Sequence, residues 1–582
     1  MISRRGYAML FLLVDGALAT GGRAQTMVAP SPVSPSQVTP PTFQPQRPLP
    51  SETGVQQLSI GGSGAAAPAG SEKFTVVVQD LVIEGEFSEL VSVRSRIASR
   101  ILGQKLTIAR IFETAAELEA AYARAGYVFV RVTVPPQRLA ARGPVRLVVT
   151  DGYVEAIDTQ ALSPRVRDVV TARLAGLVGA RRMKAHKLEQ KLLIAGDVAG
   201  LRLRSVLTRG DEPGGVKLVL NGDHRLVTGT LTVDNRNGVS LGRWQFGTSL
   251  ALNSSWGRGE QVFASLTTDN DIRRLASSDP RLRIFGAGVA LPIGVDGLTV
   301  TPEYSNSRTH ANAASGGLDT VGEFERWALR LTAPLLRSRT QALSASVSAE
   351  HLTQVAHSTL FARDTSRDEY AVLRGSLDWS TSTRSGGGVS TSLTATRGLG
   401  GRDRDDGRRT AIPLSRLGAD PQFTKAGFTG QVVQPLPYGG LRASVTVAGQ
   451  TSFNAPLLRS EQLALDGSSL VSGIASGTLS VDRGIAGRAE LAKPIAVSTG
   501  AGQATVTPYV FTALGLGYLE LPTALEAARV SGRSMGGGVR FDIAESGKTP
   551  GLNVALEIAL HASYIAMTKR GSRVSLSVAS RF

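Results

Sequence analysis

The residues best equipped for chemistry lie in one strand-like segment near the end of the chain. In LNVALEIALHASY, Glu557 and His561 share a face with Asn553 and Ser563, and serines are abundant nearby. A carboxylate, an imidazole and a hydroxyl within reach of one another could form a nucleophilic hydrolase site. The same face also suits the wall of a water-filled barrel, where every second side chain is polar. Single histidines such as His186 and His310 carry less of a signal than this pair. The 582 residues include no cysteine, so a disulfide framework and a thiolate-held metal are excluded. The chain also has no phosphate-binding loop. We read the polar face as lumen wall and expect no catalytic residue, no enzyme activity, no metal and no cofactor.

The element that carries Glu557 explains this choice. Its other face holds Leu552, Val554, Leu556, Ile558, Leu560 and Tyr564. RWQFGTSLALN repeats the pattern with Trp244, Phe246, Leu250 and Leu252, and WALRLTA, ALSASVSA and VSTSLTAT behave alike. Helical periodicity nearly vanishes after Asp223. Segments of about ten alternating residues separated by turns predict a transmembrane barrel, apolar outside and polar within. A β-sandwich also alternates, with its apolar face inward. Many long strands, small polar residues on the second face and a terminal Phe582 favour the barrel. Residues 223–582 number 360. At roughly 22 per strand and turn they predict about sixteen antiparallel strands. The chain ends SRVSLSVASRF, with Val574, Leu576, Val578 and Phe582 in alternation. An open edge in lipid leaves backbone groups unpaired, so this last strand is expected to close on the first. Phe582 then sits at a membrane rim, where we expect it to act as the outer-membrane assembly signal.

The N-terminal part reads differently. MISRRGYAMLFLLVDGALATGGRAQ has two arginines, an apolar stretch and small residues, as in a signal peptide cut after Ala24. Arg4 and Arg5 leave both Sec and twin-arginine export open. Residues 25–72 are rich in proline, serine and glycine and read as a flexible linker. No later apolar run of about 18 residues predicts a membrane helix. The net charge is +17, yet no compact basic block or zinc-finger spacing appears, so nucleic acid is not an expected partner.

Residues 73–152 then predict a β-α-α-β-β module. FTVVVQDLVIEG is a strand, and SELVSVRSRIASRIL is a helix capped by Ser88. ARIFETAAELEAAYARAG is a second helix with Ile111, Ala115, Leu118 and Tyr122 on one face and Gly126 as its C-terminal cap. YVFVRVTV stops at Pro135-Pro136, and VRLVVTDG closes the unit. The order recurs over residues 153–222. The whole chain is therefore expected to be two α+β modules followed by a C-terminal barrel. Such modules leave sheet edges open, which suits capture of an extended peptide as an added strand.

These motifs, in this order, resemble the transporters of two-partner secretion, the TpsB or haemolysin secretion/activation family. The resemblance rests on AYARAGYVFVRVTVPPQRL with Gly126, Tyr127, Pro136 and Gln137, on LVVTDGYVEAI, and on KLEQKLLIAGDVAGLRLRSVLTRGDEPGGVKL. It continues in LTVDNRNGVSLGRWQFGTSLALNSSWGRGEQVFASLTT and in LRSEQLALDG followed by LSVDRGIAGRAEL. It spans residues 74–582.

The resemblance implies two periplasmic POTRA modules and an outer-membrane barrel in a Gram-negative bacterium, with a long lumen loop at about residues 452–481. It implies a pore that takes an unfolded TpsA-type exoprotein from the periplasm to the surface or medium (type V secretion). Outer-membrane lipid and lipopolysaccharide, and the barrel-assembly machinery and periplasmic chaperones during biogenesis, are the other implied partners. The groove of module 1 is expected to present Leu118, Tyr122, Tyr127, Phe129, Val130 and Val132 to the exoprotein. An outer-membrane assembly insertase of the same superfamily is the alternative, disfavoured by two modules where five would be expected. A passive porin is disfavoured because it needs no modules.

One departure from the family pattern stands out. The family's lumen loop carries Val-Arg-Gly, and its wall carries an acid in Phe-x-Asp-x-Gly. Here the places read Val471-Ser472-Gly473 and Phe511-Thr512-Ala513-Leu514-Gly515, so both charges are missing. Losing both partners of a buried pair can be nearly neutral. Arg540 with Asp542, or Asp482 with Arg483 beside Gly484, are the pairs that could take over. The family's N-terminal plug helix is not evident before the proline tract.

Overall fold

A computed structural model describes residues 34–43, 67–138, 141–274, 277, 280–311, 319–499, 502–524, 526–545, 550–565 and 567–582. The expected signal peptide and residues 25–33 and 44–66 of the expected linker lie outside the described residues.

The first module is a four-stranded sheet under two helices. Thr75–Glu84 pairs in parallel with Arg142–Asp151, and the short Lys105–Thr107 and Val130–Thr133 form its two edges. Helices Val91–Ile101 and Ile108–Arg124 lie over it and bury Ile97, Ile111, Leu118 and Tyr122. Gly126 has φ +91°, the left-handed conformation that ends a helix without strain. Ser88 does not cap the first helix. It opens a 3₁₀ turn, Ser88–Leu90, and the α-helix starts at Val91. The second module repeats the order with Tyr153–Asp158, Pro164–Leu174, Ala185–Gly196, Leu201–Arg209 and Gly215–His224. Gly152 joins the two, where a side chain is impossible: a Cβ would stand 2.5 Å from the Phe129 carbonyl.

The remaining strands close into an antiparallel barrel. Arg483–Ala492 runs on past Lys493-Pro494 as Ile495–Thr499, and both segments pair with Gly502–Tyr518, so the barrel has sixteen strands. Proline lacks the N–H a ladder needs, which accounts for the break. The alternation falls as the sequence predicts. Leu556, Ile558 and Leu560 point outward, while Glu557 is buried on the inner side. Trp244, Phe246, Leu250 and Leu252 also share the outer face.

Met567–Arg581 meets Val227–Asp234 over five residue pairs, from Ser577–Asp234 to Arg581–Thr230. Phe582 extends this seam. Its N–H donates to the Gly229 carbonyl at 3.1 Å, and the Gly229 N–H donates to its carbonyl at 2.9 Å. At the other end the Asn235 amide oxygen accepts from Leu576 N–H at 2.9 Å, as a backbone carbonyl would.

The second module is fixed to the short-turn end of the barrel. Asp197 takes a two-pronged contact from Arg337 at 2.8 and 3.0 Å, Lys191 reaches Asp296 at 2.7 Å, and Arg202 pairs with Glu545 at 3.4 Å. The modules thus define one end of the pore, and the long loops define the other.

Candidate functional site: the lumen and its two inserts

Among the described residues, two segments are inserted into the barrel. The larger is the loop of residues 452–482, between strands Arg442–Thr451 and Arg483–Ala492. It is a small hairpin closed by Leu463–Ala464 against Ser480–Val481. Asp466 holds its turn by accepting N–H bonds from Gly477, Thr478 and Leu479 at 2.6–3.0 Å. Burial raises the Asp466 carboxyl to about 6 against the pull of those donors. Leu465, Val471, Ile474 and Leu479 pack onto wall residues Ala448, Ala486, Ala513 and Val530.

Three polar anchors tie this hairpin to its surroundings. At its start Glu461 is fully buried, held by Arg374 at 2.6 and 2.9 Å, Lys425 at 2.9 Å and the Tyr370 hydroxyl at 2.8 Å. Burial alone would raise this carboxyl, but the two cations pull it far below the usual range. At its end Asp482 pairs with Arg416 at 2.6 Å and accepts from Leu457 and Glu520 N–H and the Gln462 amide.

The third anchor is at the tip. The Ser472 hydroxyl donates to Glu557 at 2.5 Å and accepts from Arg488 at 2.7 Å. Arg488 also pairs with Glu557 at 2.8 Å and Glu490 at 3.1 Å, and lies over the Phe511 ring at 3.6 Å. Arg540 binds Glu490 at 2.5 and 2.7 Å, and Tyr509 donates to Glu557 at 2.9 Å. Gly473 has no room for a side chain without displacement, since a Cβ would meet His561, Ser534 and Ala559 at 3.0–3.2 Å.

Neither expected substitute pair forms. Arg540 turns to Glu490, and Asp542 bonds Asn553. Asp482 takes Arg416 from another loop, while Arg483 is half exposed beside Glu520 at 2.5 Å. Arg540 reaches across the intervening strand Gly502–Tyr518 to Glu490, and Asp482 is met by a cation from a different loop. Phe511, Ala513 and Gly515 do line the wall beneath the hairpin, with Gly515 under Leu465 and Val471. Arg488 and Glu490 lie within LSVDRGIAGRAEL, a segment that carries the resemblance, but nothing in it marked them as anchors, and Tyr509 lies in no such segment. Glu557, first met as a possible catalytic acid, is an anchor. No hydrogen bond joins it to His561 among the described residues, and His561 lies against Gly571.

The smaller insert corrects the expectation of a wholly flexible linker without a plug. Residues 34–43 include a helical turn, Pro35–Val38, docked inside the barrel. Thr39 reaches Ser307 at 2.7 Å, Thr42 reaches Glu303 at 3.0 Å, and Arg326 donates to the Pro41 carbonyl at 2.7 Å. Gln37 bonds Ser480 of the hairpin at 2.7 Å, so the two inserts touch. Prolines bring carbonyls without N–H groups, which leaves the wall fewer donors to satisfy.

In module 1 the six residues expected to line the groove are buried. Leu118, Tyr122, Tyr127, Val130 and Val132 are at most 4% exposed within its own core, and Phe129 packs into the core of module 2. The apolar periodicity that flagged them is the signature of core. The strand Val130–Thr133 is nevertheless a sheet edge. Polar side chains border it: Glu119 accepts the outward Val132 N–H at 2.9 Å and pairs with Arg131 at 3.0 Å.

Comparison with known proteins agrees with this architecture. The family model for haemolysin secretion/activation proteins ShlB/FhaC/HecB matches residues 215–537, more than half of the chain, and the ShlB-type POTRA domain matches residues 76–152. The outer membrane transporter CdiB of Escherichia coli is 24% identical over 434 residues, which are 72% of this chain and 68% of that protein. Among solved structures, CdiB from Escherichia coli aligns with a TM-score of 0.66 and 19% identity, over 90% of this chain and 94% of its own. CdiB from Acinetobacter baumannii gives 0.57 and 15%, over 87% and 90%.

Proposed function

Because the chain belongs to the ShlB/FhaC/HecB haemolysin secretion/activation family of outer-membrane transporters, we propose that it exports one unfolded exoprotein captured at the open edge of module 1. The POTRA modules lie in the periplasm, so the edge faces the compartment where such a chain arrives. The observation that carries the reading is the free strand Val130–Thr133. Its outward Val132 N–H is occupied only by Glu119, a side chain that an incoming strand can displace. Main-chain pairing there gives affinity while demanding little of the cargo's sequence.

The cargo then passes through the barrel. The smaller insert holds the wall by polar contacts, and the hairpin by polar anchors around one apolar cluster; water and a moving polypeptide can replace the polar contacts one at a time. Outward folding of the cargo supplies the direction, since the periplasm offers no nucleotide.

The test is a comparison of secreted and periplasmic proteins, by mass spectrometry, with and without this protein. Loss of one large exoprotein from the medium, with its fragments in the periplasm, is the expected result. An unchanged medium with a broad fall in outer-membrane proteins would replace this reading with assembly of other barrels. A chain lacking module 1 that still secretes the exoprotein would remove the capture step.

A further inference from the structure

The outer wall of the barrel changes character towards its long-loop end. The modules are periplasmic and hold the short-turn end, so the long loops face the cell exterior. Across four neighbouring strands Tyr304, Trp327, His351 and Ala371 stand in one rung. The Tyr304 and Trp327 rings are 4.4 Å apart, and Trp327 is 57% exposed. Below that rung the outer face is apolar, with Leu329, Leu331, Val347, Leu373 and Leu377 exposed. Aromatic rings of this kind mark the boundary between acyl chains and headgroups. The boundary is thus placed by register, independently of any ligand.

Beside this rung the wall is notched. Gly400 and Gly401, at φ +112° and +151°, stand next to Ala371 and Tyr370, where the ladder is bulged. A Cβ on Gly401 would lie 2.2 Å from the Glu369 carbonyl, so no side chain can fill the space. The notch measures about 610 Å³, and His351, Arg367, Arg402 and Asp406 are among its lining residues. Arg397 lies two residue pairs below, level with Leu373 and exposed.

The charges around the notch are unevenly matched. Arg367 shares Glu369 at 3.0 Å, and Asp406 is engaged by Arg409. Arg402 donates to the Arg367 and Ile412 carbonyls and the Thr410 hydroxyl, while Arg397 donates to the Thr424 hydroxyl at 2.6 Å. Neither has a carboxylate at ion-pair distance among the described residues. Arg397 has no acid partner among the described residues and Arg402 has Asp406 and Asp368 only beyond ion-pair distance, so three guanidinium groups stand against two carboxylates, Glu369 and Asp406, at the boundary of the outer leaflet beside a column of exposed leucines, and a phosphorylated lipid headgroup would supply the missing negative charge. Guanidinium binds phosphate with two parallel bonds.

We propose that this notch is a specific binding site for the phosphorylated glucosamine headgroup of lipopolysaccharide. Arg367 and Arg402 at the notch and Arg397 below it face its phosphates, and its acyl chains lie along Leu373, Leu377 and Leu393. Arg402 also holds the loop above the notch, so it is unsuitable for a first mutation. The proposal depends on the outer-membrane location and not on the identity of the cargo.

The test compares the purified full-length protein with Arg367→Ala/Arg397→Ala. Native mass spectrometry would count lipopolysaccharide retained per barrel after detergent exchange. Binding would then be titrated with diphosphorylated lipid A, dephosphorylated lipid A and inorganic phosphate. We expect about one retained molecule, and affinity lower by about tenfold or more in the variant and for the dephosphorylated lipid. Failure of millimolar inorganic phosphate to compete would assign the site to the lipid headgroup. Competition by phosphate as strong as that by lipid A would make it a free-anion site and overturn the proposal. Equal retention by the variant, or equal binding of dephosphorylated lipid, would also overturn it. Unchanged heat-modified migration on gels must accompany the variant, and Arg397→Lys, which keeps the charge, should recover part of the affinity.

Discussion

Arg488 stands directly across the strand pair from Ala513, and its guanidinium reaches the Ser472 hydroxyl at the hairpin tip at 2.7 Å. The family pattern puts the arginine on the loop and the acid on the wall. In this chain the wall supplies both charges, Arg488 and Glu557, and the loop supplies only a hydroxyl between them. Seen from sequence, the missing arginine and acid are a paired loss. In space the cation has been re-supplied from the strand that follows the loop.

That inversion predicts an order of severity. Arg488→Ala leaves Glu557 buried without its main cation, and we expect a loss of about 3 kcal/mol or more in barrel stability. Ser472→Ala removes one shared hydroxyl and is expected to lose about 1 kcal/mol. Ser472→Arg alone sets two cations together and should open the pore, while Ser472→Arg with Arg488→Ser should restore closure. Single-channel conductance and sensitivity to large antibiotics are the readouts. A double variant as leaky as Ser472→Arg would contradict the exchange of roles.

Arg416 joins three outer loops at one buried point. It pairs with Asp482 at 2.6 Å and Glu526 at 3.1 Å, and donates to the Leu457 and Glu520 carbonyls. Arg416→Met keeps the volume but strands two acids, so we expect the loops to separate and protease cleavage at residues 452–482 of intact cells to rise severalfold. Cleavage at the wild-type rate would mean that the apolar cluster of Leu414, Phe423, Leu457 and Leu458 is sufficient to hold them.

At the edge of module 1, Glu119→Ala frees the Val132 N–H and removes one partner of Arg131. Strand addition no longer has to displace a carboxylate. We expect binding of an unfolded cargo segment to module 1 to tighten by a few-fold, measured by titration on the intact transporter. Weaker binding would identify Glu119 as a direct contact with cargo.

His224, at the end of the last strand of module 2, is held below the usual histidine range by burial, with the charge of Arg165 adding to it. The unfolded chain therefore takes up a proton that the folded chain refuses as pH falls through about 6.5. Stability of the module–barrel junction should decrease below that pH and be retained above it. Melting curves of the wild type and His224→Gln between pH 5 and 7.5 check the sign. The two midpoints should diverge only at the acidic end, and a constant difference would assign the change to packing.

The groove residues show where sequence patterns mislead. Tyr122 and Val132 were legible as apolar and periodic, and both are fully buried. Glu119 and Arg131, which border the edge, are polar residues with no pattern to mark them. Periodicity reports which side of an element meets the core, and the residues left for a partner are those it does not mark.

The order of modules, the barrel with its polar interior and the closing of the last strand on the first are written in the residue pattern. These follow from local chemistry: a two-residue period sorts side chains between lipid and water, and an open edge in lipid is forbidden. Which charges grip the lumen hairpin, and the place of residues 34–43 inside the barrel, emerge only when the chain is folded. Ser472 and Glu557 are 85 residues apart in the chain, and Thr39 and Ser307 are 268 apart. Contacts of that span are set by barrel closure, which brings distant strands around one lumen, and no local pattern encodes which side chains will meet there.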